Sequence, residues 1–274
     1  MAACAAGSLV IPHERPLLPC RFLARYDRFI ASVELDGEVV DAHCVNPGRM
    51  EGLVRPGARA WVSAVPPESK RKLRYTLELL EIDGGYVGAN TVVPNRLAEF
   101  LVREGCVPGL RRFRSLAREV RYGENSRIDL LLEQGSRRHP VRHYVEVKNC
   151  HLVYPDGGAY FPDSVSVRAA GHLRELATVL AAGDKATVLF TVQREDARFL
   201  RPSRLHDPAF AAAAAEAAAA GVRFRAVTIA PRPDGFHYLG PLPVRLGPYP
   251  IAPLEPFRDA LAPFSGWRRR GGRS

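Results

Sequence analysis

The segment 127–148, RIDLLLEQGSRRHPVRHYVEVK, does most to limit what this chain can fold into. Two apolar runs flank a stretch punctuated by Gly135, Ser136 and Pro140, which predicts two short strands joined by a loop. Strand side chains alternate between faces, so Glu146 and Lys148 share one face and Val145 and Val147 the other. If the two strands pair, Asp129 reaches the face of Glu146 and Lys148. Two carboxylates and one ammonium so placed suit metal-dependent phosphodiester hydrolysis: acidic oxygens hold a hard cation, and the ammonium stands near the attacking water or the phosphate. The same triplet also describes the wet face of a half-buried strand, where Glu-x-Lys is an ordinary ion pair and Glu133 and Tyr144 continue the alternation. One internal contrast favours chemistry. The chain has 35 Arg but only four Lys, at 70, 72, 148 and 185, so a lysine at 148 marks a place for a compact point charge in preference to a planar fork.

Before this segment, from Tyr26 to about Gly88, short strands and turns follow one another closely. Asp36-Gly37 between two strand-like runs predicts a hairpin with a type I′ turn. Five short strands in about sixty residues suggest a small barrel, with the oligonucleotide-binding fold as the leading candidate. Lys70, Arg71, Lys72, Arg74 and Tyr75 lie between two of these strands, and basic residues interleaved with an aromatic suit a surface that tracks phosphates and stacks a base. A solvated, merely charged loop is the plainer reading of the same residues. Beyond Gly88 the period changes: NRLAEFLVREG predicts a helix ending at Gly105, and the basic segment that follows carries Glu119. That residue is a candidate third carboxylate, with a neighbouring arginine as its other natural partner.

After Lys148 the Gly-, Pro- and Tyr-rich stretch YPDGGAYFPDS predicts a mobile loop, with Asp163 or Ser164 capping the next helix. On that helix Arg168, His172 and Glu175 share a polar face beside an apolar stripe. A buried strand, an alanine-rich helix capped by Asp207-Pro208 and another strand follow, so the second unit is α/β, a sheet covered on both faces. Beyond Pro231 the composition shifts to Pro, Gly and Arg, which predicts a basic, largely disordered tail. The chain therefore divides into an N-terminal extension (1–20), a barrel (21–90), an α/β domain (91–230) and the tail (231–274).

A formal net charge of +10 and a pI near 9.7 favour a polyanionic partner such as nucleic acid. Five scattered cysteines without a C-x-x-C pair suggest neither a disulfide framework nor a zinc site, and no apolar run is long enough to span a bilayer. A cytoplasmic protein is expected. There is no P-loop, GxGxxG or nucleophile elbow.

In the same order along the chain, RYDRF, NPGRMEG, SKRK, ANTVVPNRL, EVRYGENSRIDLLL, YVEVK, YFPDSV and HLREL resemble segments of the sugar fermentation stimulation protein family, SfsA. The resemblance implies an oligonucleotide-binding barrel followed by an α/β domain of the PD-(D/E)xK nuclease type. It also implies catalysis by Asp129, Glu146 and Lys148 and a Mg²⁺ or Mn²⁺ ion held by Asp129, Glu146 and Glu119. Arg127, Arg168 and His172 join the barrel's basic loop as candidate nucleic-acid contacts. One departure is Leu77, which stands where the family usually has an aromatic. The expected function is metal-dependent hydrolysis of DNA, RNA also being a candidate; the competing expectation is a non-catalytic DNA-binding regulator of sugar-fermentation genes. The oligomeric state is left open, a homodimer included.

Overall fold

The computed structural model describes Gly7, residues 9–123 and residues 126–271. Residues 1–6, 8 and 272–274, at the ends of the expected extension and tail, lie outside the described residues, as do 124–125. The two-residue strand β1 (Val10–Ile11) is followed by β2 (Leu17–Tyr26), β3 (Ile30–Leu35), β4 (Glu38–His43), β5 (Arg59–Ala64), β6 (Tyr75–Ile82) and β7 (Gly85–Gly88). Strands β2 to β7 form a sheet in the order β4-β3-β2-β5-β6-β7, and a parallel pairing of β4 with β6 closes it into a barrel. Asp36 and Gly37 have φ of 52° and 84°, the left-handed pair that a type I′ hairpin needs. Phe22, Val33, Val62 and Leu80 fill the interior together with Leu77. Leu77 is fully buried there, so its exchange for an aromatic is a matter of core packing and touches no binding surface.

The second unit is built on a seven-stranded sheet. It comprises α1 (Val93–Arg103), β8 (Ser115–Tyr122), β9 (Ser126–Gly135), β10 (Pro140–Cys150), β11 (Gly158–Phe161), α2 (Val167–Leu180), β12 (Lys185–Val192), β13 (Phe199–Pro202), α3 (Pro208–Ala219), β14 (Arg223–Arg232) and β15 (Gly235–Leu242). The strand order is β1-β15-β14-β12-β10-β9-β8, with β10, β12 and β14 parallel and the outer strands antiparallel. Helix α1 packs Leu97 and Leu101 against Val145 and Val147, whereas α2 and α3 cover the opposite face with Leu173, Leu176 and Phe210. Because β10 alternates, Glu146 is carried on the α2 side. Among the described residues no helix is long and apolar enough to cross a membrane.

Several expectations need correction. Residues 158–161 of the stretch read as a mobile loop form β11, which pairs with β13. Ser166, and neither Asp163 nor Ser164, caps α2 by accepting from the Ala169 amide, whereas Asp207 caps α3 as expected. The residues past Pro231 are ordered as far as 271: β15 completes the sheet beside β14, and α4 (Glu255–Leu261) follows, with Leu254 buried beside it. Composition misleads there because Pro and Gly thin the apolar pattern, while the neighbouring strand supplies the hydrogen-bond partners that order it. Similarly, part of the extension read as separate is structural, since β1 pairs with β15 and β2 begins at Leu17.

Asp163 joins the two units. Its carboxylate accepts from the Met50 amide of the loop between β4 and β5 at 3.0 Å, and His151 lies 3.4 Å away. Burial would raise this carboxyl, but His151 and the Met50 amide hold it down to about 2. Its stabilising contribution is therefore full above the ordinary value of 3.8 and is lost as pH falls towards about 2. Asp163→Asn is expected to cost on the order of 2 kcal/mol at neutral pH and nothing near pH 2. Urea unfolding of both proteins across that range measures this, and a difference independent of pH would contradict it.

Candidate active site

Strand β9 pairs with β10 as far as Val145↔Leu130, and there the regular ladder stops. Asp129 takes over: one carboxylate oxygen accepts from the Val147 amide at 2.7 Å and the other from Asn95 Nδ2 of α1, also at 2.7 Å. Burial, with the nearby Glu146 charge adding to it, pushes the Asp129 carboxyl up to about 6 despite these donors. Glu146 is only 3% exposed, yet its carboxyl lies below the ordinary range. Burial acts upward on it and is outweighed by His172 and Lys148, whose Nδ1 and Nζ each stand 2.6 Å from the same Oε1. Arg168 Nε donates to His172 Nε2 at 3.3 Å, so the ring proton sits on Nδ1 and points at Glu146. The second Glu146 oxygen, Oε2, is buried and has no hydrogen-bond partner among the described residues.

Asp129, Glu146, Lys148 and His172 line a cleft of about 710 Å³ together with Glu119, Arg127, Arg168 and the barrel-loop residue Pro47. Glu119 lies on β8 between the pairs Arg118↔Leu130 and Val120↔Ile128, which places it across from Asp129. Its φ of 54° is unusual for a glutamate within a strand and turns the backbone locally. Glu119 makes no ion pair with the arginines of its segment; Arg118 goes instead to Glu99 at 3.4 Å. Among the described residues no three His, Cys, Asp or Glu side chains form a ready metal cluster; Glu119 is exposed at the rim, Asp129 is half-buried and Glu146 is buried.

The basic loop of the barrel is placed elsewhere. Lys70, Arg71, Lys72 and Arg74 are exposed and Tyr75 is half-buried, and none of them lines the cleft. Arg74 donates to the Pro66 and Ser69 carbonyls and Arg71 to Thr76, so these two guanidinium groups brace their own loop. Sequence reasoning did not select Asn95, although it belongs to the segment ANTVVPNRL; only the packing of α1 brings it to Asp129. His172 was selected for phosphate, with Glu175 as its alternative partner; the structure places it against Glu146.

A small closed barrel abutting an α/β domain, with an acidic pair in the cleft that the barrel loop also lines, defines a two-domain architecture, an oligonucleotide-binding fold followed by an α/β fold. The chain belongs to the sugar fermentation stimulation protein family: residues 23–89 match the SfsA N-terminal OB domain and residues 92–235 the sugar fermentation stimulation protein RE domain. It is 47% identical over 231 residues to the sugar fermentation stimulation protein homolog of Maricaulis maris, covering 84% of this chain and 97% of that one. The homolog of Rhodospirillum centenum is 47% identical over 223 residues, with 80% and 93% covered. Among solved structures, Pyrococcus furiosus SfsA in complex with Ca²⁺ matches with a TM-score of 0.76 at 29% identity, over 86% of this chain and 98% of that one.

Proposed function

We propose that this protein is a divalent-metal-dependent nuclease that hydrolyses phosphodiester bonds of DNA, RNA being a second candidate substrate. The observation that carries this reading is the buried, unpartnered Oε2 of Glu146 beside the Asp129 carboxylate, in a cleft that also holds Lys148. An oxygen left bare at that depth is costly unless a cation meets it, and hard oxygen donors suit Mg²⁺ or Mn²⁺. The donor set therefore fits such an ion, with Asp129 and Glu146 as its ligands and Glu119 available from the rim. That a relative was solved with Ca²⁺, which also takes oxygen ligands, supports the same conclusion. When bound, the cation supplies positive charge at the phosphate and acidifies water.

The chain's own residues do the rest. Lys148, held at Glu146 Oε1, orients the attacking water or neutralises charge that develops on the phosphate. His172 fixes the Glu146 carboxylate, and Arg168 and Arg127 on the cleft wall take neighbouring phosphates. The barrel, assigned to residues 21–90, grips the strand through Lys70, Lys72 and the partly committed Arg71, Arg74 and Tyr75, while residues 91–230 carry the chemistry. Incubating the purified chain with end-labelled single- and double-stranded DNA and RNA, in Mg²⁺, Mn²⁺ or chelator, tests this. Cleavage in metal that stops in chelator is expected; intact substrate under every condition would leave a nucleic-acid-binding regulator as the better description.

A further inference from the structure

Residues 262–270 run back across the barrel as a strap. Gly266 N donates to Arg49 O at 2.7 Å, Arg268 N to Arg25 O at 3.0 Å and Asp27 N to Arg268 O at 2.9 Å. Arg270 grips Asp41 at 2.5 and 3.0 Å. The strap lays Trp267 against the guanidinium groups of Arg25 and Arg28, 5.4 and 5.7 Å from the ring centre. Even so, Trp267 remains 42% exposed, and Phe29, beside the turn between β2 and β3, is 43% exposed. Nearby, a groove of about 390 Å³ is lined by Tyr26, Ser32, Arg268, Arg269 and Arg270. Asp41 answers the charge of Arg270, but the side chains of Arg268 and Arg269 have no hydrogen bond or ion pair among the described residues.

Two uncompensated guanidinium groups beside exposed aromatic rings match a ligand that alternates phosphate charge with flat apolar faces, which is single-stranded nucleic acid. A duplex keeps its base faces stacked and offers these rings nothing. The position also fits: Arg28 lines a hollow that shares Pro47, Val147 and Lys148 with the carboxylate cleft, and its Nε donates to Pro47 O at 3.0 Å. Asp27 and Arg28 both adopt left-handed φ, 43° and 67°, a conformation that costs energy and is retained at the corner where the track turns from strap to cleft.

We propose that the strap and the β2–β3 turn form a binding site for a single-stranded arm of the substrate, with Trp267 and Phe29 stacking bases and Arg268 and Arg269 taking phosphates. The proposal rests on the nuclease reading of the cleft. Binding of a short labelled single strand, and of a blunt duplex of the same sequence, to the full chain in chelator tests it. Trp267→Ala is expected to weaken single-strand binding about tenfold, and Trp267→Phe to restore most of it. Arg268→Ala/Arg269→Ala removes no side-chain hydrogen bond or ion pair among the described residues and is expected to lower the log–log salt slope by about 1.4, from two contacts at about 0.7 each. Duplex binding stays at the wild-type level in both cases. Single-strand affinity and salt slope unchanged in every variant, in a protein that still cleaves, would overturn the strap site and leave the cleft assignment standing. Equal losses on duplex and single strand would overturn the preference for single strands, and a wild type that binds neither form would overturn both readings.

Discussion

Glu146→Gln is expected to abolish the proposed metal-dependent cleavage, by at least about 10³-fold, while nucleic-acid binding is expected to remain equal to wild type or become tighter. The two effects separate because the amide is nearly isosteric: His172 Nδ1 and Lys148 Nζ, each 2.6 Å from Oε1, can still donate to the amide oxygen, so the local packing survives. What is lost is the anionic oxygen at Oε2, which is buried, has no hydrogen-bond partner among the described residues and is the proposed cation ligand. Removing a negative charge from a cleft that must admit phosphate lowers repulsion, which is why affinity does not fall. Lys148→Ala is expected to stop turnover as well. Lys148→Arg then reports on the lysine's role: little recovery if its compact ammonium serves a single water or oxygen, and substantial recovery if a positive field suffices. An exposed ion pair would show none of this, since such pairs shift stability by less than about 1 kcal/mol. Cleavage that continues at the wild-type rate in Glu146→Gln would remove the carboxylate from the chemistry.

Arg25→Ala is expected to destabilise the chain by at least about 3 kcal/mol, lowering the thermal midpoint by roughly 6–12 °C. Arg25 is 1% exposed. Its guanidinium donates to the carbonyls of Arg28 at 2.9 Å, Asn46 at 2.5 Å, Gly48 at 3.0 Å and Gly266 at 3.4 Å. One side chain thus ties together the β2–β3 turn, the barrel loop that lines the cleft, and the strap. Alanine leaves the buried Asn46 carbonyl and three partly buried ones without this donor, and a buried orphan costs about 1–3 kcal/mol. Arg25→Lys recovers only part of the loss, because a single ammonium cannot reach carbonyls spread along the fork. Thermal and urea unfolding of the three proteins decides it, and a midpoint for Arg25→Ala within a degree or so of wild type would contradict the account.

Much of the site was legible because it depends on neighbours in sequence. The alternation in YVEVK fixes the faces of Glu146, Lys148 and the two valines, and the left-handed demand of a type I′ turn is visible in Asp36-Gly37. Contacts that depend on packing were not legible. Asn95 reaches Asp129 across 34 residues and His172 reaches Glu146 across 26, because α1 and α2 approach the same strand ends from opposite faces of the sheet. The i, i+4 spacing put Arg168 and His172 on one helical face but gave no means of choosing Glu146 over Glu175 as their partner. β15 was hidden for another reason. Its glycines and prolines read as tail, and only pairing with β14, through the turn between Arg232↔Gly235, gives those residues a strand to complete. Nothing local distinguishes Arg25, within RYDRF, from the other arginines of the sequence.

Electron paramagnetic resonance of Mn²⁺ titrated into the full chain tests, apart from any substrate, whether the Asp129 and Glu146 carboxylates hold a divalent cation. Saturable Mn²⁺ binding by the wild type, competed by Mg²⁺, is expected, weakened at least about tenfold in Asp129→Asn and in Glu146→Gln. Mn²⁺ binding of undiminished affinity in the Asp129→Asn/Glu146→Gln double variant, or no saturable binding by the wild type at all, would contradict it.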